Sequence, residues 1–316
     1  MAGGMKDKTA TVLVSHEEDD AVGRRIIQLI PGVEVVAYDP DATVLDDTQR
    51  SADILVPSYR GSHRPIPLIT QLPRLRMVQL LSAGVDEWIA YIPANVTLAS
   101  ARGAHAGPVS EWVISAILTQ MRQWPALVRF QDSETWAHRL FSADTLAGKR
   151  ALIVGAGSIG TAVAARLSPF GALSTLVART ARDGVYSWSE LSRLIPGHDI
   201  VVISAPLNDE TRGLMGRALL ALMDDGALLV NVGRGQIVDT EALVAELRSG
   251  RLRAALDVTD PEPLPQGHPL WKAPNVIISP HSARTVPGTN RLCYEVAAEQ
   301  IQEFIAGRRP ANAIER

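Results

Sequence analysis

Apolar residues are gathered along the chain into short runs separated by longer polar or mixed stretches. The first third holds TVLV (11–14), VEVVAY (33–38), DILV (53–56), MVQLL (77–81) and VTLAS (96–100). Short runs rich in Val, Ile and Leu, with helix-length segments between them, predict βα alternation and a parallel sheet. From Lys149 a second series follows: RALIV, LSTLVA, DIVVIS, GALLVNV, LRAALDV and NVIISP. Two α/β units are therefore expected. They are not a simple tandem pair, because Pro287 to Gly307 carries Leu292, Val296, Ile301 and Phe304 at near-helical spacing after the second sheet has ended. That helix is expected to return to the first domain. Pro108 to Arg122 reads as a long helix with Pro in its first turn. Gln123 to Ala147, with Trp124, Phe130, Trp136 and Phe141, fits neither sheet and is expected to be an irregular arm. So many large apolar side chains there point to a partner surface, with packing inside one subunit as the alternative.

The run ALIVGAGSIGTAVAARL (151–167) passes from a buried strand through three glycines into a helical pattern. That is the context of a dinucleotide fingerprint. Gly155 permits the tight turn, Gly157 removes a side chain where a pyrophosphate approaches, and Gly160 lets the helix pack against the strand. The helix start, with Ser158 and Ile159, offers backbone N–H groups to phosphates. An ordinary glycine-rich turn is the alternative.

A length of 316 residues with 46% hydrophobic residues suits about two globular domains. Lys and Arg total 31 against 34 Asp and Glu, a formal net charge of −3. No global field then favours nucleic acid or a membrane, and small-molecule chemistry is expected. The single Cys293 excludes an intramolecular disulfide and fits a reducing compartment, with helix packing as its expected role. MAGGMKDKTATVLVS lacks the apolar core of a signal peptide, and no apolar run reaches the roughly 18 residues of a membrane span. A soluble cytoplasmic protein without a metal site is expected.

Three further stretches follow expected strands of the second unit, where an open α/β sheet places its ligand crevice. NVGRGQIVD (231–239) brings Arg234, ALDVTDPEPLP (255–265) brings Glu262, and SPHSART (279–285) brings His281. Each alone has a plain structural reading as a cap, a solvated charge or a turn residue. Together, behind a dinucleotide turn, they can polarise a carbonyl, anchor a carboxylate and transfer a proton.

The order GAGSIG, NVGRGQIVD, DVTDPEP, PH resembles the D-isomer-specific 2-hydroxyacid dehydrogenases, which include the glyoxylate/hydroxypyruvate reductases. LLSAGVDEW (80–88) and GPVSEWVISAILTQMRQ (107–123) extend the resemblance over most of the chain. It implies two Rossmann-like doubly wound parallel-sheet domains, the cofactor domain (107–284) inserted into a flavodoxin-like substrate domain (1–106 and 285–316), with the site in the cleft. The crossings near 105–108 and 282–287 would absorb a closing motion. It also implies a homodimer, with residues 123–147 as the arm. Arg234 would hold the substrate carboxylate and carbonyl oxygen, His281 would donate a proton to that oxygen, and Glu262 would pair with His281. An anionic neighbour favours the imidazolium. The turn at Ser82, Ala83 and Gly84 would cradle the substrate carboxylate with backbone N–H groups. Asp257 would accept a hydrogen bond from the nicotinamide carboxamide, Pro206 and Thr211 would line the adenosine half, and Val232 and Gly233 would complete the cofactor contacts.

NAD-specific relatives place an acid after the second cofactor strand; here LSTLVARTAR puts Ala178 at that position, followed by Arg179, Thr180 and Arg182. Loss of the anion and gain of guanidinium groups suit a 2′-phosphate, so NADP(H) is expected over NAD(H). A solvated loop with incidental arginines is the alternative. Arg284, Tyr59, Arg60 and His63 carry no assigned role. The expected function is an NADP-dependent reductase converting a small 2-oxo acid to the D-2-hydroxy acid. A cofactor-sensing corepressor-like binding protein and a phosphite-oxidising enzyme are the competing readings.

Overall fold

The computed structural model describes residues 10–315; the first nine residues, on which most of the signal-peptide reading rests, lie outside it. In chain order the elements are β1 (Ala10–Ser15), α1 (Ala21–Gln28), β2 (Val33–Tyr38), α2 (Asp47–Arg50), β3 (Ile54–Val56), β4 (Met77–Gln79) and β5 (Thr97–Ala99). Then come α3 (Ala106–Met121), α4 (Trp124–Asp132), β6 (Arg150–Val154), α5 (Ser158–Leu167), β7 (Leu173–Ala178), β8 (Val185–Ser187), α6 (Leu191–Leu194), β9 (Ile200–Ile203) and α7 (Arg217–Ala221). The chain continues through β10 (Leu228–Asn231), α8 (Thr240–Arg248), β11 (Arg253–Leu256), β12 (Val276–Ile278) and α9 (Thr289–Ile305).

These elements form two compact units. One takes the chain up to His105 and again from Val286; the other is the inserted stretch Ala106–Thr285. Ala106 and Thr285, placed by the resemblance in the first domain, go with the second: Ala106 opens α3, and Thr285 N–H donates to Ser282 O at 2.7 Å.

In the first unit five parallel strands run in the order β2-β1-β3-β4-β5. The last helix of the chain completes this unit's core, as its spacing predicts. Cys293, Tyr294, Ala297 and Ile301 of α9 pack with Val12, Ile27 and Ile54. Gly23 in α1 makes room for this, since a Cβ there would lie 2.2 Å from the Tyr294 ring. The Tyr294 hydroxyl donates to Asp20 Oδ1 at 2.8 Å, and burial raises the Asp20 pKa above the usual carboxylate value.

In the second unit seven parallel strands run β12-β11-β10-β9-β6-β7-β8. Sequence order reverses between β6 and β9, the switch point at which such sheets bind ligands. Every residue of β9 and β10 is buried, which explains their near-continuous hydrophobic runs. β8 escapes the pattern of apolar runs because it is a three-residue edge strand, half exposed.

The stretch 123–147 is not wholly irregular. Gln123, at φ +53°, ends the course of α3, and the nine-residue α4 follows with Pro125 in its first turn, where the missing N–H costs nothing. No residue of α4 is buried, so no core-facing stripe announces it in the sequence.

Candidate active site

All the second unit's predicted site residues leave the C-terminal ends of parallel strands. Across the sheet from one edge, β12 delivers His281, β11 Glu262, β10 Arg234, β9 Pro206, β6 the glycine turn, and β7 Arg179. Adjacent strands are about 4.8 Å apart, so the three ionisable groups come from three neighbouring strands.

The glycine turn has a distinct job for each glycine. Gly155 sits at φ +118°, and a Cβ there would lie 2.6 Å from the Ala205 nitrogen. At Gly160 a Cβ would lie 1.9 Å from the Gly155 carbonyl oxygen. At Gly157 it would meet nothing within 4 Å. Gly155 therefore lets the turn approach the backbone of Ser204 and Ala205 and Gly160 lets the helix close on Gly155, while Gly157 leaves open space at the N-terminus of α5, where Ser158 and Ile159 begin the helix. A pyrophosphate fits such a place, facing helix N–H groups. Ser204 Oγ fastens the turn by donating to Gly155 O at 3.0 Å.

Beyond β7, Arg179, Thr180 and Arg182 are exposed. Arg182 Nη2 donates to Ala156 O at 2.8 Å, so this side chain reaches back to the glycine turn. Thr211 is fully buried; its hydroxyl donates to Pro206 O at 2.7 Å and accepts from Asn208 N–H at 2.8 Å. It staples the loop on which Pro206 is exposed.

After β10, the buried Asn231 shapes the Arg234 loop. Its Oδ1 accepts from Gly233 N–H at 3.0 Å, and its Nδ2 donates to Arg234 O at 3.0 Å. Val232 and Gly233 are buried behind it. Arg234 is partly buried, with Nη1 donating to Gly233 O at 2.9 Å. His281 Nδ1 lies 2.7 Å from Glu262 Oε1. The hydrogen bond with His281 holds Glu262 below the usual carboxylate range, against partial burial, and the Arg234 charge acts in the same direction.

Asp257 is 3% exposed, and its carboxylate accepts from Ser279 Oγ and from the N–H groups of Ser282 and Ala283. Sequence reading found neither this contact nor the part played by Asn231. The Asn of NVGRG was a visible signal for the second.

In the first unit the Ser82 hydroxyl donates to Gly84 O at 2.7 Å, closing the turn that follows β4, with Ala83 exposed at its tip. Tyr59 N–H donates to Asp20 Oδ1 at 3.0 Å and Arg60 pairs with Asp19 at 2.5 Å, so both belong to the polar network at the end of β1. His63 is exposed and Arg284 half-buried. The described residues contain no group of three or more potential metal ligands, and no helix long and apolar enough to cross a membrane.

A family profile described as D-isomer specific 2-hydroxyacid dehydrogenase, NAD binding domain, matches residues 114–283. A glyoxylate reductase of Aeropyrum pernix is 34% identical over 268 residues, covering 79% of this chain and 79% of that protein. Glyoxylate/hydroxypyruvate reductase A of Serratia proteamaculans is 31% identical over 303 residues, covering 91% of this chain and 92% of that one. Among solved structures, a D-isomer specific 2-hydroxyacid dehydrogenase from Xanthobacter autotrophicus Py2, in complex with NADPH and MES, superposes with a TM-score of 0.83 at 30% identity over 98% of each chain.

Proposed function

The chain belongs to the D-isomer-specific 2-hydroxyacid dehydrogenases, oxidoreductases that act on CH–OH donors with a nicotinamide cofactor, and from that premise we propose that it is an NADP-dependent reductase of a small 2-oxo acid such as glyoxylate or hydroxypyruvate. The observation that carries this reading is the 2.7 Å pair of His281 and Glu262, which leaves the β12 and β11 ends of a sheet whose β10 carries Arg234 and whose β6 carries the glycine turn. Two of the relatives above bear glyoxylate or hydroxypyruvate reductase names.

A reduced nicotinamide supplies the hydride when bound. Arg234 then holds the substrate carboxylate and carbonyl oxygen with its planar guanidinium, a geometry that Lys does not reproduce. His281 donates a proton to the carbonyl oxygen as charge develops there. Glu262 keeps the imidazole oriented through Nδ1, so that Nε2 faces the substrate. Gly155, Gly157, Ser158, Ile159 and Gly160 would hold the pyrophosphate, and Arg179, Thr180 and Arg182 would hold the 2′-phosphate. The preference for NADP is supported by Ala178 standing where an acid would repel that phosphate, and by the NADPH held in the Xanthobacter structure.

The working state is a homodimer formed through the 123–147 arm, supported by the exposure of Trp136 (91%), Leu140 (63%) and Trp124 (54%). A cytoplasmic location fits the single, buried Cys293.

The test is a spectrophotometric panel following NADPH and NADH oxidation against a dozen 2-oxo acids. Turnover of glyoxylate or hydroxypyruvate with NADPH is expected. Cofactor binding without reduction of any 2-oxo acid, or NADP reduction by phosphite alone, overturns the reading.

A further inference from the structure

His281 has a backbone φ of +52°, a left-handed conformation that a non-glycine residue adopts only where its surroundings impose it. One residue supplies much of what imposes it. The His281 N–H donates to Asp257 O at 2.7 Å, and also to Ser279 O at 3.0 Å. Past the histidine, the Asp257 carboxylate takes the N–H of Ser282 at 2.8 Å and that of Ala283 at 3.0 and 3.1 Å to its two oxygens. Before it, the Ser279 hydroxyl donates to Asp257 Oδ1 at 2.5 Å. Asp257 directly follows β11, whose sheet neighbour β12 runs into this turn. The Ser279 side chain before His281, its own N–H and the main chain after it are thus fastened to one buried residue, while the ring is fastened to Glu262 further along the same loop.

We propose that Asp257 is a positioning residue for proton transfer, holding the left-handed turn that aims the His281 ring, so that its loss is felt in turnover more than in cofactor affinity. The proposal rests on the reading of His281 as proton donor. A carboxylate has about four acceptor sites, and here Oδ1 accepts three bonds and Oδ2 one, all from residues 279–283. The carboxylate is therefore bonded chiefly to the turn, and Oδ2, with one bond, keeps an acceptor site for the nicotinamide carboxamide that the resemblance would place there. Without that hold, residue 281 relaxes toward negative φ and its Cβ swings. A misplacement of about 1 Å costs about a hundredfold in rate.

The experiment compares Asp257→Asn, Ser279→Ala, His281→Ala and the Asp257→Asn/His281→Ala double variant. Asn keeps one acceptor oxygen but sets an NH2 group against the Ala283 N–H, and Ser279→Ala removes a single donor from a turn that otherwise stays intact. In Asp257→Asn, kcat is expected to fall by about tenfold to a hundredfold, with a smaller fall in Ser279→Ala. NADPH affinity of the binary complex, read by fluorescence titration, should change by much less than kcat does. Hydrogen exchange of the 279–283 amides should accelerate in both variants. In the His281→Ala background, Asp257→Asn should cause no further loss, because both act through one group. Unchanged kcat with weakened NADPH binding would overturn the proposal and make Asp257 a cofactor contact alone. A loss in the double variant as large as in the wild type would overturn it too, as would unaltered exchange at 279–283. Wild-type kcat in His281→Ala alone would overturn the proton-donor reading and the proposal with it, and hydrogen exchange would still report whether Asp257 holds the turn.

Discussion

His281 Nδ1 and Glu262 Oε1 are 2.7 Å apart, which ties one nitrogen of the imidazole and leaves Nε2 as the one that can reach a substrate oxygen. His281→Ala is expected to lower kcat by about a hundredfold to ten-thousandfold while NADPH still binds, since the proton matters in the transition state. Glu262→Gln should lower kcat less. Glu262 is held below its ordinary value, so its carboxylate persists through the neutral range and is lost only as pH falls through that lowered value. The advantage of wild type over Glu262→Gln should therefore be kept across neutral pH and vanish on the acid side, which paired pH–rate profiles check.

Gly157 and Gly160 should part company when each is changed to Ala. Gly160→Ala drives a Cβ to 1.9 Å from the Gly155 carbonyl oxygen, backbone that has nowhere to go, and should cost about 1–3 kcal/mol or more of stability. Gly157→Ala meets nothing within 4 Å and should leave stability within about 0.5 kcal/mol of wild type. Its effect should fall on NADPH affinity. Urea denaturation and cofactor titration separate the two.

Arg179 and Arg182 are expected to differ. Arg182 donates to Ala156 O, so Arg182→Ala should loosen the glycine turn and weaken NADH as well as NADPH. Arg179→Ala should raise the Michaelis constant for NADPH by about tenfold, the low end for one charge-assisted contact at an exposed site, and spare NADH. Steady-state kinetics with both cofactors tests this.

His198 is 2% exposed, with Nε2 3.0 Å from Thr175 Oγ1, and burial lowers its pKa. In the unfolded chain a histidine takes up a proton as pH falls through about 6.5; the folded protein resists until lower pH. The unfolded state binds more protons in that window, so stability should decline from about pH 6.5 down to the lowered folded value and then level off. Replacing the group by His198→Gln should reduce the difference in urea midpoint between about pH 8 and about pH 5.

Trp136, 91% exposed, is the residue whose loss should be felt most in association. Trp136→Ala should raise the dimer dissociation constant by about tenfold or more, as for a large aromatic anchor. Light scattering over a dilution series reads this out. A wild-type monomer at micromolar concentration would remove the arm from the account.

What the sequence made legible and what it hid divide along physical lines. Gly155, Arg234, Glu262 and His281 each follow the end of an apolar strand run within six residues, after β6, β10, β11 and β12, so the local pattern located their loops. Asp257 was visible as a residue, but its bonds to Ser282 and Ala283 exist only because β11 and β12 are neighbours in the sheet, and pairing is not written in local spacing. Thr211 shows the converse: it matches the family's loop, yet its hydroxyl is used within the loop, on Pro206 and Asn208. α4 stayed hidden because none of its residues is fully buried, and periodicity reports only faces that have a core to meet.

The bond from Tyr294 to Asp20 spans 274 positions of chain, and its length orders events during synthesis. The second unit is continuous in sequence and can close its core as it emerges. The strands β1 to β5, though made first, wait for α9 to bring Cys293, Tyr294 and Ile301 against them, with the apolar side of their sheet uncovered meanwhile. For the same reason a protease cut at either crossing would leave the inserted unit whole and divide the other into two pieces held together only by their packing.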